Sequence, residues 1–106
     1  MRKYILQDGV PVLCKDVLEW GRWLEKAHET METRVAHDRV GGGDLYTSFL
    51  AIDHNWGSGP PLLYETMFHH GSSEWADFQW HYSTRTEAEA GHAKAKAMIE
   101  QGEMPE

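Results

Sequence analysis

Asp53 and His54 close one apolar run and Glu65 sits in the next, within the stretch Asp53-His54-Asn55-Trp56-Gly57-Ser58-Gly59-Pro60-Pro61-Leu62-Leu63-Tyr64-Glu65-Thr66-Met67, and His81 and His92 follow later in the chain. Carboxylates and imidazoles gathered in this way suit two kinds of chemistry. They can hold zinc or another divalent ion, with an Asp beside a His fixing its tautomer, or they can move protons between groups whose pKa values an enclosing cleft pushes apart. The spacing contains neither His-x-x-x-His nor His-x-His, the patterns that place two imidazoles on one face, so no metal ligand is assigned. A metal-assisted or acid/base enzyme would rest on Asp53, His54 and His81, with Glu65 as a second carboxylate. No activated nucleophile accompanies them, since Cys14 lies on an early edge strand and Ser48, Ser58 and Ser83 lack the glycine-flanked elbow of a serine hydrolase. The plainer reading is that Asp53 and Asn55 cap a loop and the histidines stand at a sheet edge. It predicts no catalytic residue and no cofactor.

Trp56 and Trp75 fall in expected loops, whereas Trp20 and Trp80 belong to periodic apolar patterns. A loop tryptophan is either an anchor for a protein partner or planar ligand, or a lid folded back on the core. Gly57, Gly59, Pro60 and Pro61 stiffen the loop that carries Trp56, because proline fixes its own φ and pushes the preceding residue toward extended backbone. The binding residues expected are therefore Asp53, His54, Trp56, Glu65, Trp75, His81 and His92.

The elements that must position them can be read from turn and cap signals. Asp8-Gly9 between Tyr4-Ile5-Leu6 and Val10 to Leu13 predicts an N-terminal hairpin, with Pro11 holding its second strand at an edge. Asp16 and Glu19 open a helix over 16–30 with the stripe Val17, Trp20, Leu24, Ala27 and Met31. Strands are expected near 33–40, 45–53, 62–68 and 77–82, and Thr84 with Glu87 caps a second helix over 85–101, with the small-residue stripe Ala88, Gly91, Ala95 and Met98 bordered by His92 and Ile99. In an antiparallel meander these strands bring Asp53, His54, Leu62 and His81 to one end of the sheet, with His92 leaning over it. His69 and His70 go to the other end, near Gly41-Gly42-Gly43, which reads as a hairpin turn. The result is an α+β domain: an antiparallel sheet of four main strands plus an N-terminal hairpin, with two helices packed on one face.

At 106 residues the chain is one domain, expected over 1–102 with a frayed tail over 103–106, and 41% hydrophobic content with five tryptophans supports an ordered core. The formal charge of −7 is scattered and interrupted by arginine and lysine, which disfavours direct contact with nucleic-acid phosphates; an acidic mimic of nucleic acid would instead gather its carboxylates on one face. A single cysteine permits no internal disulfide and fits a reducing compartment. The N-terminus has no signal-peptide pattern and no apolar run approaches the roughly twenty residues of a membrane span, so a cytoplasmic monomer or small homo-oligomer is expected, with no membrane partner.

Three segments carry a resemblance: Phe49-Leu50-Ala51-Ile52-Asp53-His54-Asn55, Gly59-Pro60-Pro61-Leu62-Leu63-Tyr64-Glu65-Thr66-Met67, and Tyr82-Ser83-Thr84 followed by Glu87-Ala88-Glu89-Ala90-Gly91-His92. Together with the opening from Lys3-Tyr4 to Trp23, the chain resembles a family of small uncharacterised proteins encoded by tailed phages and prophages, from which Phe68-His69-His70 and the triple glycine depart. The resemblance implies a source, the cytoplasm of a host bacterium, and a class of accessory protein that binds a host protein, including inhibitors of host defence of the anti-CRISPR kind. It implies no catalytic residue. A sponge that sequesters a nucleotide signal, using the two loop tryptophans for stacking, is a related expectation.

Overall fold

The computed structural model of the chain describes residues 1–71 and 77–105. Asp8 and Gly9 take φ of 53° and 79°, the left-handed pair of a tight hairpin turn, and join Tyr4–Gln7 (β1) to Val10–Leu13 (β2). Val17–Thr30 (α1) starts where the Asp16 carboxylate accepts the amides of Leu18 and Glu19. Arg34–Val40 (β3), Gly43–Phe49 (β4), Tyr64–His70 (β5) and Phe78–Tyr82 (β6) then form an antiparallel sheet in the order β3-β4-β5-β6. Arg85–Glu100 (α2) closes the chain, opened by the reciprocal capping box of Thr84 and Glu87. The fold is α+β, with a four-stranded sheet, a separate hairpin and two helices.

Burial follows strand parity. Leu45, Thr47 and Phe49 on β4, Tyr64, Thr66 and Phe68 on β5, and Phe78 on β6 are buried, because successive strand residues face opposite sides. α2 lies across all four strands of this inner face, where Ala95 and Ile99 meet Val40, Leu45, Phe68 and Phe78. α1 and the hairpin cover the end of the same face, with Leu6, Trp20, Trp23 and Leu24 gathered around Phe49, Leu63 and Tyr64. No described helix is long and apolar enough to cross a membrane.

The departures from expectation have local causes. The strand expected over 45–53 ends at Phe49 because Ala51 turns to φ 64°; its carbonyl there accepts both the Tyr4 amide at 2.8 Å and the Trp20 indole at 3.0 Å. A left-handed alanine costs roughly 1–2 kcal/mol, and these two bonds plus complete burial hold it. The chain then runs beside β1, where the Asp53 amide donates to the Arg2 carbonyl. On α1 only the middle of the predicted stripe meets the core: Ala27 is buried, while Val17 and Met31 stay 58% and 53% exposed. On α2 the buried stripe is Ala88, His92, Ala95 and Ile99, so His92 and Ile99 lie within it, while Met98 is half-buried. Gly91 faces Tyr82 so closely that an added Cβ would overlap the phenol. Past α2 the Glu103 amide donates to the Met98 carbonyl and Pro105 is buried.

Candidate functional site on the open sheet face

The other face of the sheet is covered by neither helix. Its side chains come from the alternate positions, Asp44, Tyr46 and Ser48 on β4, Glu65, Met67 and His69 on β5, and Gln79 and His81 on β6, all half-buried or exposed. Cross-strand register places Arg34, Ser48, Glu65 and His81 in one row over this face. His81 Nε2 is 2.7 Å from Glu65 Oε2, within ion-pair distance of it. The His54 ring stacks on His81 with centroids 5.5 Å apart and planes 22° from parallel. His54 Nδ1 lies 3.0 Å from the Ile52 carbonyl oxygen and carries the hydrogen of that bond. Each ring therefore has one nitrogen pinned, and its other nitrogen has no partner among the described residues.

Of the residues expected at this site, His54, Glu65 and His81 converge. Their contact crosses β5, because the turn at Ala51 carries His54 beside Leu62, whose carbonyl accepts the His54 amide. Asp53 plays the capping role instead. One carboxylate oxygen accepts the amides of Asn55 and Leu62; burial alone would raise its pKa, but these two bonds and the nearby charges of Arg2 and His54 more than offset it, and the net shift is downward. Asn55 continues the scaffold, donating to the carbonyls of Ser58 and Pro60 and accepting the Gly57 amide. Trp56 rides on this frame with 78% of its surface exposed. Beside it lies a cavity of about 490 Å³ lined by Arg2, Asp53, Asn55 and Trp56. Trp75 lies outside the described residues.

His92 is not at this site. It is buried on the opposite face, with Nε2 2.8 Å from Asp38 Oδ2 and Nδ1 2.8 Å from the Thr47 hydroxyl. Thr47 is in turn 2.6 Å from Thr66, which accepts from the Tyr82 hydroxyl at 2.9 Å. The groups assign the direction. Asp38 only accepts, so Nε2 carries a hydrogen; in the neutral ring Nδ1 then accepts from Thr47, Thr47 accepts from Thr66, and Thr66 from Tyr82. With the ring neutral, every member is satisfied and the chain runs one way from Tyr82 to Asp38. The His92 bond first of all, with Lys96 adding to it, lowers the Asp38 pKa against the opposing effect of burial. Burial raises that of Tyr82, with the Thr66 bond working against it.

This network escaped sequence reasoning, although two threonines at inward positions of adjacent strands were a usable signal, since a buried hydroxyl requires a partner. Also missed was the cluster at the far end of the open face. There Asp44 is bound by His37 at 3.1 Å and by Arg39 at 3.0 Å, the His37 bond being the main reason its pKa is lowered, and Tyr46 stacks on His69. As expected, His69 and His70 sit at that end, opposite Asp44 and Gly43 of the glycine turn. Among the described residues no group of three or more His, Cys, Asp or Glu is placed to hold a metal ion. No protein-family model, curated protein or solved structure matches the chain.

Proposed function

We propose that this is a non-enzymatic binding protein that engages a host protein through the loop from Asp53 to Leu62, with Trp56 as the anchor, in the manner of a small phage or prophage accessory protein. The observation that carries this reading is an exposed indole on a loop whose backbone is already held by five hydrogen bonds to the Asp53 and Asn55 side chains. Ordering a loop in advance lowers the entropy cost of association, and tryptophan is among the residue types that dominate interface energy. A role against a host defence system is the form this proposal takes if the captured partner belongs to one.

Retention of a host-lysate partner by Trp56→Ala protein is expected to fall more than tenfold relative to the unsubstituted chain, with an unchanged far-UV spectrum and melting midpoint. Equal retention by the variant, or no retained protein from the unsubstituted chain, overturns the reading.

A second reading rests on the stacked imidazoles. His54 and His81, each with one nitrogen pinned and one unclaimed among the described residues, are arranged to pass a proton to and from a bound molecule. In a metabolite screen by thermal shift followed by product detection, turnover abolished by His54→Ala and by His81→Ala supports it. Turnover surviving both substitutions, or no stabilising ligand, removes it. A stabilising nucleotide recovered unchanged would point to the sponge instead.

A further inference from the structure

A cavity of about 360 Å³ opens on the same face, under the turn from α1 to β3, with His28, Thr33, Ser48 and Glu65 at its polar side and Tyr46, Leu50 and Met67 as its apolar wall. Its volume lies in the range of small-ligand sites, roughly 300–1,000 Å³, and its make-up is theirs, apolar walls around a few placed polar groups. The Glu65 side chain is only 14% exposed; Oε2 is taken by His81, and Oε1 has no partner among the described residues. A carboxylate largely withdrawn from water, whose second oxygen is open to solvent and unclaimed among the described residues, favours a donor there, and a cationic one most strongly. Tyr46 already meets one guanidinium, that of Arg34, 5.9 Å from its ring centroid. Arg34 stands across from Ser48 rather than Glu65, so the one described cationic partner of the carboxylate is His81 on Oε2.

We infer that this cavity receives an arginine side chain of the partner, its stem along Leu50 and Met67 and its guanidinium on Glu65 and the Ser48 hydroxyl. The inference rests on the protein-binding reading and gives that partner a chemistry: a basic surface with a protruding arginine. The formal charge of −7 works in the same direction, since an acidic protein attracts a basic one before contact. Arginine fits better than a compact ammonium because its planar fork bonds a carboxylate oxygen and a hydroxyl together.

The test is a titration followed by backbone amide NMR, using N-acetyl-arginine amide against N-acetyl-citrulline amide, which keeps the shape and loses the charge. Saturable shifts at Ser48, Glu65 and Met67 are expected with the arginine compound, at least tenfold weaker binding with citrulline, and the same loss in Glu65→Gln. Glutamine can still accept from His81, so this variant keeps its fold; Ser48→Leu, which fills the cavity and leaves the Glu65–His81 bond alone, is a second variant expected to abolish the shifts. An equal response to citrulline, an unchanged response in Glu65→Gln, or tighter binding of free L-arginine than of the blocked residue overturns the assignment of a partner side chain. Failure of this titration alongside intact Trp56-dependent capture removes the arginine pocket and leaves the loop reading standing.

Discussion

His92→Ala is expected to lower stability by about 3 kcal/mol, measured as a shift in urea midpoint at constant slope. The substitution removes the centre of the chain: the buried Thr47 hydroxyl keeps Thr66 but loses its imidazole partner, Asp38, about a third exposed, loses its main partner, and a void opens between α2 and the sheet. Losing a buried hydrogen-bond partner, as Thr47 does, costs roughly 1–3 kcal/mol and the lost side-chain volume adds to that, whereas water can reach Asp38. His92→Asn, which can put a polar atom near Nδ1 but does not reach Asp38, should fall between the two. A loss under 1 kcal/mol would mean that water replaces the imidazole, and that the network does not hold the helix to the sheet.

The same network sets an acid limb. Asp38 has its pKa lowered below the ordinary aspartate range in the folded protein, chiefly by its bond to His92. A depressed carboxylate contributes stability that is complete above its unfolded pKa and disappears as pH falls through its folded value. Stability of the unsubstituted protein should therefore drop below about pH 4, and the drop should be shallower in His92→Ala, where the main cause of the shift is gone. Parallel acid limbs in the two proteins would sink this account.

Gly91→Ala is the second large effect, and it runs against helix propensity. Alanine in a helix interior is better than glycine by roughly 1 kcal/mol, yet here the new methyl would overlap the ring and hydroxyl of Tyr82. Overpacking of this kind costs about 1–3 kcal/mol. The overlap involves a rigid ring fixed by its bond to Thr66, so we expect a net loss of about 2 kcal/mol. A double-mutant cycle isolates the cause: in a Tyr82→Ala background the clash is absent, Gly91→Ala should be neutral or stabilising, and the coupling should exceed 1 kcal/mol. Additive effects would show that α2 shifts to accommodate the methyl.

Local chemistry made much of the fold legible. Asp8-Gly9, Asp16 and Thr84 with Glu87 are devices that act within four residues of themselves, and the hairpin and both helices begin where these residues stand. Strand parity also carried far, since a period of two assigns faces once one buried residue is known. The end of β4 was not legible, because Ala51 is left-handed only in order to meet Tyr4 and Trp20, and no propensity of alanine encodes that. His92 was misplaced for a related reason: two turns into α2 it could lean toward the sheet end or insert under the helix, and the choice depends on Asp38, Thr47 and Thr66, which lie 54, 45 and 26 positions away in sequence.

For the open face the division is similar. The sequence by itself determined that Asp53, His54, Leu62 and His81 come to one end of a meander, because antiparallel strands alternate ends, and that the Gly-Pro loop holding Trp56 is stiff. Only the tertiary structure decided their roles. Asp53 became a cap because the Asn55 and Leu62 amides reach it, Glu65 became a half-claimed carboxylate because register sets it against His81, and His54 joined them because Ala51 turned the chain. Cap, turn and period act over a few residues and are written locally. Partnership between side chains depends on which surfaces the packed core leaves facing each other, and that is settled only when distant strands come together.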